Sequence, residues 1–238
     1  MTEFSDRDLT ERTVQYPSEG VTVKAYVVMP RSETPRPAII VIQEWWGLSE
    51  QIKAVARRYA REGYVAVAPD LYSRLGHKLT ADPNEASKLM NLLKQEDGLK
   101  DLNATVAYLK TMPEVEATRI GVTGFCMGGS YALMLPCVNP SIKAAVPFYG
   151  WIPDPDTPLQ RLACPVLYFY GENDAFIPKS EPHRLAQALK KYNKPGEVKT
   201  YPGAGHAFFR DGDPSTYRPA EAQDAWNRPL VFLRQHLS

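Results

Sequence analysis

The sequence predicts an α/β fold, in which a mostly parallel central sheet carries helices on both faces as a three-layer α/β/α sandwich. Short runs rich in β-branched residues alternate with longer segments whose apolar residues recur at helical spacing, which is the pattern of βαβ units. A chain of 238 residues is long enough to bury a substantial core within one domain. Its prolines lie mainly at the edges of the predicted elements, where a missing N–H does little harm.

Seven strands are predicted from apolar runs that end in turn residues. In chain order they cover residues 21–29, 37–42, 64–68, 119–123, 143–148, 166–170 and 198–201. Six helices are expected over residues 50–62, 83–93, 99–111, 129–137, 181–192 and 219–236. No internal repeat, low-complexity tract or flexible linker interrupts this alternation, so residues 1–238 are predicted to form a single domain.

The composition argues against binding to nucleic acid or to an anionic membrane, because the formal net charge is only +1 and no long basic run is present. The polar N-terminal residues lack the apolar core of a secretory signal, and no segment has the length of a transmembrane helix, so a cytoplasmic location is expected. Three cysteines without a CxxC pair indicate neither a disulfide framework nor a zinc site. No metal is therefore expected, and the sequence identifies no protein partner.

The pentapeptide Gly124-Phe125-Cys126-Met127-Gly128 has the form of a nucleophile elbow between a predicted strand and a predicted helix. Its small residues allow the strained turn and the close backbone approach that such an elbow requires. The turn would present the thiol of Cys126 and would place the N–H of Met127 and the positive helix end beside a developing oxyanion. The alternative is a small apolar residue at a strand end, because cysteines outside disulfides are usually buried and inert.

An acid and a histidine follow this elbow, each just beyond a predicted strand. Asp174 comes after the run 166–170, and His206 lies on a glycine-bearing loop after the run 198–201. The order nucleophile, acid, histidine is that of the α/β-hydrolases and differs from the order in other triad folds. Alone, a loop aspartate is usually a turn former and a loop histidine is usually solvated. Together with the elbow they predict a Cys-His-Asp triad, and the remaining histidines are interpreted as surface residues: His77, His183 and His236.

From about residue 21 to the C-terminal helix, the sequence resembles the dienelactone hydrolase family, also called the carboxymethylenebutenolidases. The segment Gln-Glu-Trp-Trp-Gly at residues 43–47 is similar to the family's Gln-Glu-x-x-Gly, whose glutamate contacts the nucleophilic cysteine. The resemblance implies that Glu44 activates the thiol and that the backbone N–H of Trp45 forms the oxyanion hole with that of Met127. It also implies that Trp46 lines the pocket. The alternative role for Glu44 is a strand-end acid paired with a lysine or arginine.

Two arginines lie in further matches to the family. Residues 69–74, Pro-Asp-Leu-Tyr-Ser-Arg, resemble Pro-Asp-Leu-Tyr-x-Arg, and residues 206–210, His-Ala-Phe-Phe-Arg, resemble His-x-Phe-x-Arg. The resemblance implies that Arg74 and Arg210 hold the carboxylate of an anionic lactone, a task that suits a planar fork of donors. Each could instead be a solvated surface arginine. Tyr149 matches a pocket aromatic of the family and could equally be core packing, whereas the segment 75–82 has no match that can be placed.

The resemblance implies hydrolysis of a dienelactone to maleylacetate through a thioester on Cys126, a step in the degradation of chlorinated catechols. The expected partner is therefore a small lactone or ester, and neither a metal nor an organic cofactor is required. One alternative is a broader carboxylesterase for small uncharged esters, in which Arg74 and Arg210 serve structure. The other is a catalytically inactive hydrolase-fold protein that binds a ligand. The presence of all four candidate catalytic residues argues against this last alternative.

Overall fold

The computed structural model describes residues 4–238, which form eight strands in one sheet and six α-helices. The strands are β1 (Leu9–Ser18), β2 (Val21–Pro30), β3 (Arg36–Ile42), β4 (Val65–Pro69), β5 (Val115–Phe125), β6 (Ile142–Phe148), β7 (Val166–Gly171) and β8 (Gly196–Tyr201). The helices are α1 (Glu50–Arg61), α2 (Pro83–Leu92), α3 (Gln95–Leu109), α4 (Met127–Val138), α5 (Glu181–Lys191) and α6 (Pro219–His236).

The strand order in the sheet is β1-β2-β4-β3-β5-β6-β7-β8. The pairs β3–β4, β6–β7 and β7–β8 are parallel, whereas β2 is antiparallel to both β1 and β4. This arrangement confirms the predicted α/β fold with a mostly parallel sheet. Contacts divide the chain within β5 into two compact units, the first up to Gly121 and the second from Val122 to Ser238. A single domain over residues 1–238 stays a prediction.

The first unit is built on β2, β3 and β4. All five residues of β4 are buried, as are the last five of β3, because interior parallel strands are covered on both faces. Helix α1 packs on β2 and β4 with Ile52, Val55 and Tyr59, which recur at helical spacing on one face. The helices within residues 4–238 include none that is long and apolar enough to cross a membrane.

The second unit is built on β6, β7 and α4. Strand β7 is buried throughout, and α4 is buried over nearly its whole length, as expected for a helix that is apolar on all sides. Aromatic rings fill the space beside β6: the ring centroid of Phe148 lies 4.7 Å from that of Phe125 and 4.8 Å from that of Phe169. This dense packing fixes the strand ends from which the candidate site residues project.

Strand β1 corrects the sequence analysis, which places no strand before residue 21. It pairs with β2 along its entire length, from Leu9 opposite Pro30 to Ser18 opposite Val21. Only three of its ten residues are buried, so the apolar pattern that identifies a strand is missing. Backbone pairing to β2 holds this edge strand, and charged side chains are typical of sheet edges. The helix predicted at 99–111 also starts too late, because Gly98, a poor helix former, lies inside α3.

Candidate active site

Cys126 lies alone between the last residue of β5 and the first residue of α4. Its backbone has φ 56° and ψ −118°, a conformation that residues other than glycine rarely adopt. The N–H of Cys126 donates to the carbonyl of Phe148 (3.1 Å), and its carbonyl accepts from the N–H of Gly129 (2.9 Å). The predicted strand-turn-helix context is therefore present, with the strain at the candidate nucleophile.

Close backbone contacts in the second unit explain why this turn is rich in small residues. A Cβ placed on Gly129 would lie 2.2 Å from the carbonyl oxygen of Phe148, and one on Gly150 would lie 2.3 Å from the backbone nitrogen of Ser130. Any side chain at either position would collide with main-chain atoms, which can shift only if the strand or helix that contains them shifts as well. The backbones at the start of α4 and at the end of β6 are thus in direct contact.

Asp174 and His206 form the ion-pair geometry that the triad requires. Nδ1 of His206 lies 2.7 Å from Oδ2 of Asp174, whose carboxylate is fully buried. The other oxygen, Oδ1, accepts hydrogen bonds of 2.8 Å from the N–H groups of Phe176 and Ile177. Three hydrogen bonds therefore fix the carboxylate, and the carboxylate fixes the orientation of the imidazole.

The loops that carry this pair also touch through their backbones. Asn173 donates its N–H to the carbonyl of Ala204 (2.8 Å). A Cβ on Gly171 would lie 2.6 Å from the carbonyl oxygen of Gly205, so glycine at the end of β7 permits this approach. Main-chain contacts consequently hold the loop of Asp174 and the loop of His206 together, independently of these two candidate side chains.

Two aromatic rings flank the imidazole of His206. The ring centroid of Tyr149 lies 4.9 Å from that of His206, and the ring of Phe176 lies at 5.0 Å. Tyr149 is buried and has a positive φ of 37°, whereas Phe176 is 59% exposed. The sequence identified Tyr149 but missed Phe176. The signal for Phe176 was its position two residues after the candidate acid.

Residues 43–47 follow β3 in the first unit. Glu44 is buried, and the neighbouring Gln43 accepts a hydrogen bond from the N–H of Leu71 (3.2 Å). The carbonyl of Trp45 accepts a hydrogen bond from the Tyr72 hydroxyl (2.8 Å). These two hydrogen bonds therefore anchor residues 43–47 to the loop that follows β4.

The turn after Glu44 is also tightly held. Trp45 and Trp46 pack edge to face with ring centroids 5.0 Å apart, and the carbonyl of Trp46 accepts from the N–H of Thr80 (3.1 Å). Gly47 has φ 95°, and a Cβ there would lie 2.3 Å from the carbonyl oxygen of Lys78. Two independent contacts thus set the position of the backbone that the sequence analysis assigns to the oxyanion hole.

Arg74 is bound to a buried aspartate that the sequence analysis did not identify. Its Nε and Nη2 donate to the two carboxylate oxygens of Asp101 at 2.9 and 2.8 Å, and the Asp101 side chain is fully buried in α3. These hydrogen bonds raise the pKa of Arg74. The arginine fork is thus engaged with Asp101, which favours a structural role for Arg74. No local sequence signal connects the two residues, which are 27 positions apart.

Arg210 lies in the turn after His206 and is half-buried. Its N–H donates to the carbonyl of Ala207 (2.9 Å), and its carbonyl accepts from the N–H of Asp213 (3.2 Å). The backbone of this turn is therefore fixed close to the candidate base. Its role in binding a substrate stays a prediction.

All three cysteines are buried, and two of them lie outside the elbow. Cys137 lies inside α4 and Cys164 precedes β7, and both are buried. Burial raises the pKa of Cys137 to about 11 and that of Cys164 to about 12, so both stay protonated and unreactive at neutral pH. Among residues 4–238, no group of three His, Cys, Asp or Glu side chains is arranged to hold a metal ion.

Comparison with known proteins decides the family, because the sequence profile of the dienelactone hydrolase family matches residues 23–237. The chain belongs to the dienelactone hydrolase family. It is 38% identical over 237 residues to a protein of Escherichia coli K12 that is provisionally named carboxymethylenebutenolidase, covering 92% of this chain and 85% of that protein. The resemblance inferred from the motifs is confirmed, and the chain is a hydrolase.

Solved structures agree with this assignment. The crystal structure of a provisionally named dienelactone hydrolase from Klebsiella pneumoniae has a TM-score of 0.89 and 33% identity, with 95% of this chain and 99% of that chain covered. An α/β hydrolase from a deep-sea metagenome has a TM-score of 0.73 at 18% identity, with 95% of this chain and 98% of that chain covered, and it supports the fold alone. The predicted α/β-hydrolase fold is therefore confirmed, whereas the roles of individual residues stay predictions.

Proposed function

We propose that this member of the dienelactone hydrolase family hydrolyses lactones and carboxylic esters with Cys126 as its nucleophile, and that its substrate is a dienelactone that opens to maleylacetate. The observation that carries the proposal is the occurrence, within one compact unit, of Cys126 on a strained strand-to-helix turn and of His206 bound to a buried Asp174. Nucleophile, base and orienting acid are the parts that acyl transfer through a covalent intermediate requires.

In the proposed first half-reaction, the Cys126 thiolate attacks the ester carbonyl. The carbon–oxygen bond of the leaving alkoxide then breaks to form a thioester, and the alkoxide takes up the proton that the thiol has given to Glu44. A thiol with its ordinary pKa near 8.5 is only slightly ionised at neutral pH and needs an activator. We assign that role to Glu44, which accepts the thiol proton when an anionic substrate enters. The backbone N–H groups of Trp45 and Met127 then stabilise the tetrahedral oxyanion, and Trp46 lines the pocket.

In the second half-reaction, His206 accepts a proton from water as that water attacks the thioester. Cys126 leaves as the thiolate, the acid product is released, and the His206 imidazolium gives its proton to the Cys126 thiolate, which restores the resting thiol. The buried carboxylate of Asp174 supports this step, because its fixed position holds the imidazole in one orientation and stabilises the cation. The scheme uses neither a metal nor an organic cofactor, and we place the enzyme in the cytoplasm, whose reducing conditions suit a catalytic thiol.

For the substrate carboxylate, we propose Arg210 as the principal binding group. It follows His206 by four residues in a backbone turn, so its side chain starts close to the reacting centre. Arg74 could assist only through Nη1, because Asp101 and Ser18 accept hydrogen bonds from its Nε and Nη2. Tyr149, packed against His206, completes the wall of the proposed pocket.

The pairing of Arg74 with Asp101 favours a second candidate function, a carboxylesterase that accepts small uncharged esters. If both arginines serve structure, the substrate needs no carboxylate. The two functions share the Cys126 chemistry and differ only in whether negative charge on the substrate improves kcat/KM. A third reading, an inactive protein that binds a ligand, predicts no turnover at all.

The deciding experiment follows dienelactone hydrolysis through the loss of its ultraviolet absorbance, with wild type, Cys126→Ala and a Cys137→Ala control. We expect turnover by the wild type and the control, none by Cys126→Ala, and a trapped acyl adduct on Cys126 by mass spectrometry. Equal turnover of a neutral ester of the same size would favour the carboxylesterase. Absence of turnover for both substrate classes would refute the proposal, and a chelator such as EDTA is expected to change nothing.

A further inference from the structure

We propose that the first compact unit contains a second binding site, which takes a small carboxylate anion whose apolar body is about one ring in size. This site goes beyond the proposed hydrolase function and does not depend on it. It is a cavity of about 180 Å³ formed by β1, β2, the start of α1 and the segment 77–79, for which the sequence analysis found no family match.

Positive charge surrounds the cavity. Lys24, Lys53 and Lys78 line it, and Asp70 is the single carboxylate among the lining residues. Lys53 also lies 3.9 Å from the exposed Glu50, so its charge is partly offset. Within residues 4–238, the ammonium groups of Lys24 and Lys78 have no ion-pair partner within 4 Å. Burial raises the pKa of the nearby Asp70, and the charge of Lys24 lowers it by a smaller amount, so Lys78 is the less compensated of the two lysines.

A directional polar group faces the same space. Nδ1 of His77 lies 2.9 Å from Oδ2 of Asp70, and Oδ1 of Asp70 accepts from the N–H of Tyr72 (2.9 Å). The buried carboxylate therefore holds the imidazole by one nitrogen and leaves Nε2 for a ligand.

Part of the cavity lining is apolar, and this part determines the ligand class. Tyr26, Leu48 and Leu79 supply it, and Leu79 is 62% exposed. An inorganic anion would leave this surface in water, whereas a ring would cover it. A cavity of about 150 Å³ is known to accommodate benzene, so the observed volume suits a single ring with one carboxylate.

The test uses benzoate as the probe, titrated by isothermal calorimetry into the Cys126→Ala protein, so that hydrolysis plays no part. The double variant Lys24→Met/Lys78→Met is expected to bind benzoate about fivefold to twentyfold more weakly than its parent. Its matched control is Lys88→Met/Lys94→Met, which changes the net charge equally at exposed positions outside the cavity. Leu79→Glu, a substitution at an exposed position, is expected to weaken binding similarly without affecting folding.

Two comparisons complete the experiment. Benzamide, which has the ring without the charge, is expected to bind several-fold more weakly than benzoate, and inorganic phosphate is expected not to displace benzoate. Equal benzoate affinity in the two double variants would overturn the site, because the anion would then bind elsewhere. Tighter binding of phosphate than of benzoate would overturn the proposed ligand class. Neither result depends on whether the wild type hydrolyses dienelactone.

Discussion

The Asp174 carboxylate is bound on both oxygens: Oδ2 faces His206 at 2.7 Å, and Oδ1 receives two backbone N–H groups of its own loop. The acid is therefore held in place by main-chain donors even without the histidine. A hydrogen bond to an ionised, buried carboxylate is also stronger than one between neutral groups. This rigidity supports the proposed role of Asp174, which is to fix the orientation and the tautomer of the His206 imidazole.

Replacing Asp174 with Asn is expected to lower kcat/KM by about 10³-fold to 10⁴-fold, because an amide no longer fixes the imidazole with its proton on Nδ1. The measurement is steady-state hydrolysis of dienelactone. Asp154→Asn serves as the control, since the side chain of Asp154 is 85% exposed. A loss of less than tenfold for Asp174→Asn would show that His206 needs no orienting acid.

Gly129→Ala is expected to destabilise the fold by about 2 kcal/mol or more, because its Cβ would overlap the carbonyl of Phe148. Gly205→Ala is the matched control, since its Cβ would meet its nearest atom at an ordinary 3.6 Å. Urea unfolding measures the free energy of unfolding of both variants. Similar midpoints for the two variants would contradict the tight contact between α4 and β6.

Arg74→Ala is expected to destabilise the protein by about 3 kcal/mol, because it leaves the fully buried Asp101 without its counter-charge. The double variant Arg74→Ala/Asp101→Ala removes both charges and should recover part of the loss, which a double-mutant cycle quantifies. If Arg74 acts mainly on the substrate, the unfolding free energy will hardly change and KM will rise instead.

Arg210→Ala is expected to raise KM for the anionic lactone about tenfold to hundredfold, as expected for loss of a charge-assisted hydrogen bond. KM for a neutral ester of the same size should stay within about twofold. Arg218→Ala is the matched control, since Arg218 is exposed at the start of α6. Equal effects of Arg210→Ala on both substrates would assign the arginine to structure.

Alkaline pH is expected to lower stability through the two buried thiols. Their pKa values in the folded protein, about 11 for Cys137 and about 12 for Cys164, lie above the ordinary value of 9.0, so the unfolded chain loses these protons first. The contribution of the two thiols to the free energy of unfolding is therefore fully present below about pH 9. Above pH 9 the free energy of unfolding falls by ~1 kcal/mol for each thiol per pH unit. The variant Cys137→Ala/Cys164→Ala should show a shallower fall between pH 9 and 10.5; an unchanged slope would assign the effect to the buried tyrosines.

Local patterns in the sequence were sufficient for most of the fold and for the motif residues. Seven strands, six helices and the elbow at Cys126 were recognisable because each depends on residues close together in the chain. Strand β1 was missed because its stability comes from pairing with β2 and not from burial. The Arg74–Asp101 pair depends on how distant segments meet, which no local pattern specifies. Phe176 was missed although it lies two residues after the candidate acid, because its ring reaches His206 only in the folded chain.

The backbone contact between Gly129 and the Phe148–Gly150 turn limits how the molecule can adapt to new substrates. Because main-chain atoms touch there, the start of α4 cannot shift relative to the end of β6, and Cys126 and Tyr149 must move as one body. Substitutions that tilt either element would also displace Cys126, the proposed nucleophile. Under the proposed function, we therefore expect changes of specificity in side chains on loops outside this contact, such as Phe176, where a new residue leaves the Cys126 thiol in place.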